Sequence, residues 1–148
     1  MKPALLVIDV QKKFFGFNPT MTQSLNDAIE YINAAIALFR EKGFPVISVQ
    51  HMDEDADLVP GEEGFELPEA LDILPSDLHI HKRYGNSFNK TSLEDELRGF
   101  GVDTVIVTGF CAEYCVLSAY RGAGGCRLGA YALEGGVSER HIGEYQIC

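Results

Sequence analysis

A thiol at Cys115, a carboxyl at Asp9 and an ammonium at Lys82 are the side chains here whose types and settings can do covalent chemistry. Cysteine chemistry needs a thiolate, a group that takes the thiol proton and later returns it to a leaving group, and donors for an oxyanion. Cys115 supplies the sulfur. Asp9, partly dry beside apolar walls, can take the proton, and Lys82 favours both the thiolate and the ionised carboxylate. Backbone N–H groups of Cys111 and Cys115 can hold the oxyanion. Each residue also has an ordinary account: a buried cysteine is a small hydrophobe, a strand-end aspartate a helix cap, a strand-end lysine a solvated one. The residues alone leave both accounts open.

These groups need elements to carry them. The stretch DTVIVTGFCAEYCVLSAYRG, residues 103–122, reads as a buried strand over Thr104 to Thr108, a tight turn at Gly109 and a short helix with Cys115 in its first turn. Unpaired N–H groups at a helix start, with the positive end of the dipole, favour a thiolate. ALLVIDV at the start reads as a strand from Ala4 to Val10 covered on both faces, with Asp9 near its end. Leu25, Ala28, Ile29, Ile32, Ala35, Ile36 and Phe39 follow the helical period, so a helix is expected from Thr22, its cap, to Lys42, stopped by Gly43. A strand over Pro45 to Gln50 opens into an acidic loop, His51 to Pro68, whose length suits a lid, a binding loop or a mobile segment. A helical turn near Glu69 to Leu71 and a short strand over Leu78 to His81 lead to Lys82. A helix over Ser92 to Phe100 follows, with Thr91 and Glu94 as a capping box and Gly101 as its stop. Beyond Arg121 glycines interrupt the pattern, though Arg127 to Leu133 can pass for a fifth strand.

Alternating strands and helices predict an α/β fold, a doubly wound, mostly parallel sheet of about five strands with helices on both faces. Ligands in such sheets sit beyond the carboxyl ends of the strands. Asp9, Lys82 and Cys115 all fall there. His51 and His81, also at strand ends, either line the crevice or are solvated. Phe14, Phe15, Tyr84, Phe88, Phe110 and Tyr114 suggest a flat apolar substrate pocket, or else belong to the core.

With 148 residues, 46% of them hydrophobic, the chain is expected to form one domain, its stretch 124–148 atypical, with no disulfide or metal needed for its core. A net charge of -10 argues against nucleic acid or an anionic membrane as partner and leaves a small-molecule substrate. The four cysteines, 111, 115, 126 and 148, crowd into the last quarter and read as free thiols. No signal-peptide core or long apolar run occurs, so a cytoplasmic location is expected.

LLVIDVQKKFF at 5–15, HKRYGNSF at 81–88 and VTGFCAEYCVLSAYRGA at 107–123, in that order and spacing, resemble the isochorismatase-like cysteine hydrolases, the superfamily that includes nicotinamidases and N-carbamoylsarcosine amidohydrolase. The resemblance covers residue 4 to about 123. It implies Asp9 as general base and acid, Lys82 as its charged partner and Cys115 as nucleophile. It also implies a cis peptide joining Phe110 to Cys111 that turns the Cys111 N–H toward the oxyanion. The implied reaction is hydrolysis of a small amide or carbamoyl compound through a thioester. Vinyl ether hydrolysis of the isochorismatase type is the alternative, in members that lack the nucleophilic cysteine; a thiol-bearing binding or redox module is a third reading. Where nicotinamidases carry a metal site, this chain reads Gln50-His51-Met52-Asp53, so no cofactor and no metal are expected. The glycine-rich end departs from the family's firmer last strands. A sheet edge left open there, and the habit of the family, make a homo-oligomer the expectation.

Overall fold

The apolar run Pro3–Ile8, all six residues buried, is the central strand β1 in the structure, a computed structural model that describes residues 1–138. It lies between β2, Val46–His51, and β4, Thr104–Phe110. The edges are β3, Leu78–Lys82, and β5, Gly129–Ser138. The order is β3-β2-β1-β4-β5 and every pairing is parallel, the doubly wound sheet expected of the alternating pattern.

Side chains of β1 alternate between two cores, as the pleat requires. Leu5 and Val7 pack with Ile29, Ile32 and Ile36 of helix α1, Pro19–Glu41. Ala4, Leu6 and Ile8 pack on the other face with Leu93 and Leu97 of helix α2, Leu93–Gly99, and with Ala119 and Ala123 of helix α3, Leu117–Gly125. A third cluster, Phe14, Met21, Leu25, Leu58, Phe65, Phe110 and Cys111, closes the carboxyl end of the sheet. All seven apolar positions expected on the inner face of α1 are buried.

Several boundaries differ from the sequence reading, each for a local reason. Asn18, not Thr22, caps α1: its Oδ1 accepts from the Met21 N–H at 2.7 Å, and Pro19 occupies the first turn, where its missing N–H costs nothing. Thr22 instead donates to the carbonyls of Phe15 and Asn18. The capping box at Thr91 does not form, because Glu94 pairs with Arg98 at 2.5 Å one turn along the helix. Leu71 closes a hydrogen-bonded turn on Pro68 rather than a helical one. The fifth strand starts after Arg127, whose φ of 60° turns the chain, and runs on to Ser138.

The acidic stretch after β2 is anchored rather than free. It holds two 3-10 turns, Glu54–Ala56 and Glu63–Phe65, and buries Leu58 and Phe65. Lys13 donates to the Ala56 carbonyl, and the Phe65 carbonyl accepts from both Gln11 and Gln50. Among the described residues no helix is long and apolar enough to cross a membrane.

Candidate active site

The strand order reverses beside β1, between β2 on one side and β4 on the other, and the crevice of a parallel sheet opens at that point. At the carboxyl end of β1 the chain breaks out of the sheet at Asp9 with φ of 54°, a left-handed conformation that aspartate tolerates better than most residues. Its N–H still bonds the Val49 carbonyl at 2.8 Å, so the residue is held against β2. Across the crevice β4 does not turn at Gly109, as the sequence suggests, but continues to Phe110 with Gly109 at φ of 114°. A Cβ at Gly109 would stand 2.0 Å from the Ile8 carbonyl oxygen. Only glycine lets β4 pass so close to the residue before Asp9.

Cys115 sits in a π-helical turn, Ala112–Val116, that leads directly into α3, and not in the first turn of an α-helix. The turn closes through the Val116 N–H on the Cys111 carbonyl at 3.1 Å. Such π turns recur at functional sites. Cys115 is 1% exposed, its body among the apolar side chains of the α2 and α3 face. The peptide bond between Phe110 and Cys111 is cis. Cys111 is buried, and its thiol donates to Glu113 Oε2 at 2.7 Å.

Lys82, the last residue of β3, joins the two sides. Its Nζ donates to Asp9 Oδ2 at 3.1 Å, and its side chain is wholly buried. Burial pushes the ammonium toward losing its proton, but the charges of Asp9 and Cys115, with the hydrogen bond to Asp9, outweigh it and hold the pKa above the usual lysine value. The structure therefore brings two of the sequence-predicted groups, Asp9 and Lys82, into direct contact, with Cys115 near enough for its charge to act on the ammonium. Asp9 Oδ1, the other carboxylate oxygen, is buried and has no hydrogen-bond partner among the described residues. A buried acceptor left open in this way calls for a donor.

Lys82 has two further partners, the Tyr84 carbonyl, which the sequence reading missed, and His51, for which it left open a place in the crevice or in solvent. Nζ donates to the Tyr84 carbonyl at 3.1 Å and meets His51 Nδ1 at 3.1 Å. His51 is fixed in turn by Gln11, whose side-chain amide accepts from the His51 N–H at 2.9 Å and donates to its carbonyl at 3.0 Å. The signal was the parallel register, which sets His51 directly beside Lys82 on neighbouring strands. His81, one residue earlier on β3, faces away, its ring edge-on to Phe65 at 5.1 Å.

The predicted pocket aromatics divide. Phe14 and Phe110 are 2% exposed and pack on each other with ring centroids 4.9 Å apart, as part of the core at the carboxyl end. Phe15 and Phe88 are partly buried against the cores, while Tyr84 and Tyr114 are exposed. A separate apolar groove of about 660 Å³ runs between α3 and β5, touching Ala112 and Val116 at the two ends of the π turn. Cys111, Cys115 and Cys126 are free thiols, and Cys148 lies outside the described residues. Among the described residues no three His, Cys, Asp or Glu side chains converge as a metal ion would require.

The family model of the Isochorismatase domain matches residues 3–134. The uncharacterized isochorismatase family protein YrdC of Bacillus subtilis (strain 168) is 31% identical over 134 residues, which is 89% of this chain and 71% of that protein. N-carbamoylsarcosine amidase from Thermoplasma acidophilum superposes with a TM-score of 0.83 at 27% identity, over 95% of this chain and 86% of that one. An isochorismatase from Pseudomonas putida KT2440 shares the fold with a TM-score of 0.86 at 24% identity, over 97% of this chain and 74% of that one.

Proposed function

The chain belongs to the isochorismatase family of hydrolases, and on that premise we propose that it cleaves the C–N bond of a small amide or carbamoyl compound, with Cys115 as nucleophile. The observation that carries the reading is the buried Lys82 ammonium, which bonds Asp9 Oδ2 at 3.1 Å and interacts with the charge of Cys115, while Asp9 Oδ1 has no hydrogen-bond partner among the described residues. The comparison with an N-carbamoylsarcosine amidase adds support for the C–N bond as the target.

The proposed steps follow from the donors and acceptors present. Asp9 Oδ1 takes the proton from the Cys115 thiol as sulfur attacks the carbonyl carbon. The carbonyl oxygen becomes an oxyanion, received by the backbone N–H groups of Cys111 and Cys115. Asp9 then returns its proton to the departing nitrogen, and ammonia or an amine leaves a thioester on Cys115. Water, deprotonated by Asp9, attacks that thioester; the proton passes back to sulfur and the acid is released. Throughout, Lys82 stays protonated and offsets the negative charge that moves between carboxylate and sulfur.

The test is ammonia release from a panel of primary amides and N-carbamoyl amino acids, with Cys115→Ala as control. The variant is expected to fold as the parent does and to lose turnover by at least about 10³-fold. Labelling gives a second readout. Iodoacetamide is itself a small primary amide and suits the site proposed, so Cys115 should be alkylated at mildly acidic pH ahead of Cys126, whose thiol burial and the neighbouring Glu94 push up. Turnover retained without the Cys115 thiol would remove the proposal.

A further inference from the structure

Cys111 stands immediately before the π turn in an extended conformation, with φ of -107° and ψ of 138°. At the start of a helix a polar side chain ordinarily turns forward and accepts from the helix's own N–H groups. The Cys111 side chain makes no bond of that kind. Its thiol is a donor instead, to Glu113 Oε2 at 2.7 Å, although Cys111 is buried and Glu113 is exposed. The Cys111 carbonyl accepts from the Tyr114 N–H at 3.2 Å and the Val116 N–H at 3.1 Å. Sulfur and carbonyl are both committed, while the Cys111 N–H has no acceptor among the described residues. We infer that Glu113 is a positioning residue of this site: by holding the Cys111 thiol across the start of the π turn, it fixes the N–H that receives the oxyanion.

This inference rests on the proposed reaction, in which that N–H is one of two oxyanion donors. Such a donor works only when aimed where charge develops, and a displacement on the order of 1 Å costs about a hundredfold in rate. The two bonds on the Cys111 carbonyl end on one oxygen, so they fix a point about which the residue can still pivot. A tie from sulfur removes the pivot. Glu113 is suited to supply it, because a bond from residue 111 to residue 113 closes a small ring, and a carboxylate strengthens the otherwise weak S–H donor. On the other side of the N–H, Phe110 is 2% exposed and packed on Phe14 with ring centroids 4.9 Å apart. The thiol bond is therefore the contact through which a surface side chain acts on the oxyanion site.

The test uses the full chain, with N-carbamoylglycine and propionamide as substrates and rates taken per mole of Cys115 that iodoacetamide alkylates. In Glu113→Ala, kcat is expected to fall about tenfold with KM within about twofold of the parent, because the weakened interaction belongs to the transition state. Glu113→Gln keeps an oxygen acceptor at the same reach and is expected to recover kcat to within about threefold of the parent. If Glu113 acts through the thiol, the double variant with Cys111→Ala loses no more than the slower of the two singles. An infrared spectrum reads the contact without turnover. The S–H stretching band of Cys111, taken as the difference from Cys111→Ala, is expected to move to higher frequency when Glu113 is alanine. A band that stays in place, additive losses in the double variant, or a Glu113→Gln as slow as Glu113→Ala each overturns the inference and leaves the proposed function standing. Parent turnover that is absent, or that survives in Cys115→Ala, removes the proposed function and this role with it.

Discussion

A lysine with 1% exposure is rare unless its charge is met, and Lys82 meets Asp9, itself 2% exposed, at 3.1 Å. Breaking such a pair from one side strands the other charge in a dry place. Lys82→Met is accordingly expected to cost about 3–5 kcal/mol in urea unfolding, and adding Asp9→Leu to it should recover part of that loss. A double variant as weak as the sum of the two singles would contradict this. At this scale much of the site is visible in the amino-acid sequence, because Asp9, Lys82 and Cys115 are polar or reactive residues at the ends of apolar runs. The hydrogen-bond partners are not. Gln11 and the Tyr84 carbonyl look like loop groups until the strands are set side by side, His51 at its strand end reads equally well as solvated, and Phe14 and Phe110 look like pocket walls until each is seen to cover the other.

Among the elements, β4 and the turn after it decide whether the site exists. Gly109 has no Cβ to meet the Ile8 carbonyl, and the contact is with backbone, which cannot swing aside. Gly109→Ala is therefore expected to lose about 3 kcal/mol or more in chemical denaturation, well beyond a typical surface change. A loss under about 1 kcal/mol would show that β4 can shift at no great cost. The periodic apolar residues of α1 were legible because one face of that helix serves a single core. Its true cap was not, since Asn18 and Thr22 are both capping types and only the position of Pro19 separates them. The π turn at Cys115 was also out of reach, because its five-residue hydrogen bond leaves no distinct spacing of apolar residues to read. The capping box at Thr91 failed for a third reason: Glu94 had a nearer cation in Arg98.

For the molecule as a whole, the fold class followed from alternation, but the order of strands did not, and it is the order that puts residues 9, 82 and 115 at one crevice. The same burial shapes the response to pH. His51 and His81 both take a proton less readily in the folded chain, His51 through burial and Lys82, His81 through burial and His79. The unfolded chain then binds more protons as pH falls below the ordinary histidine value of 6.5, and stability drops with it. Lys82 has the opposite sign: its pKa is raised when folded, so its contribution is whole below the ordinary 10.5 and is lost as pH climbs through the folded value. Urea unfolding across pH should show a plateau between these limits, with a shallower acid side in His51→Asn, since asparagine does not titrate. Finally, Asp9 and Lys82 are 73 residues apart, and Cys115 lies farther on still. No excised peptide or single supersecondary unit contains the set, so catalytic competence in a refolding sample should return in step with the last sheet pairing to form, which makes turnover a stopwatch for completion of the fold.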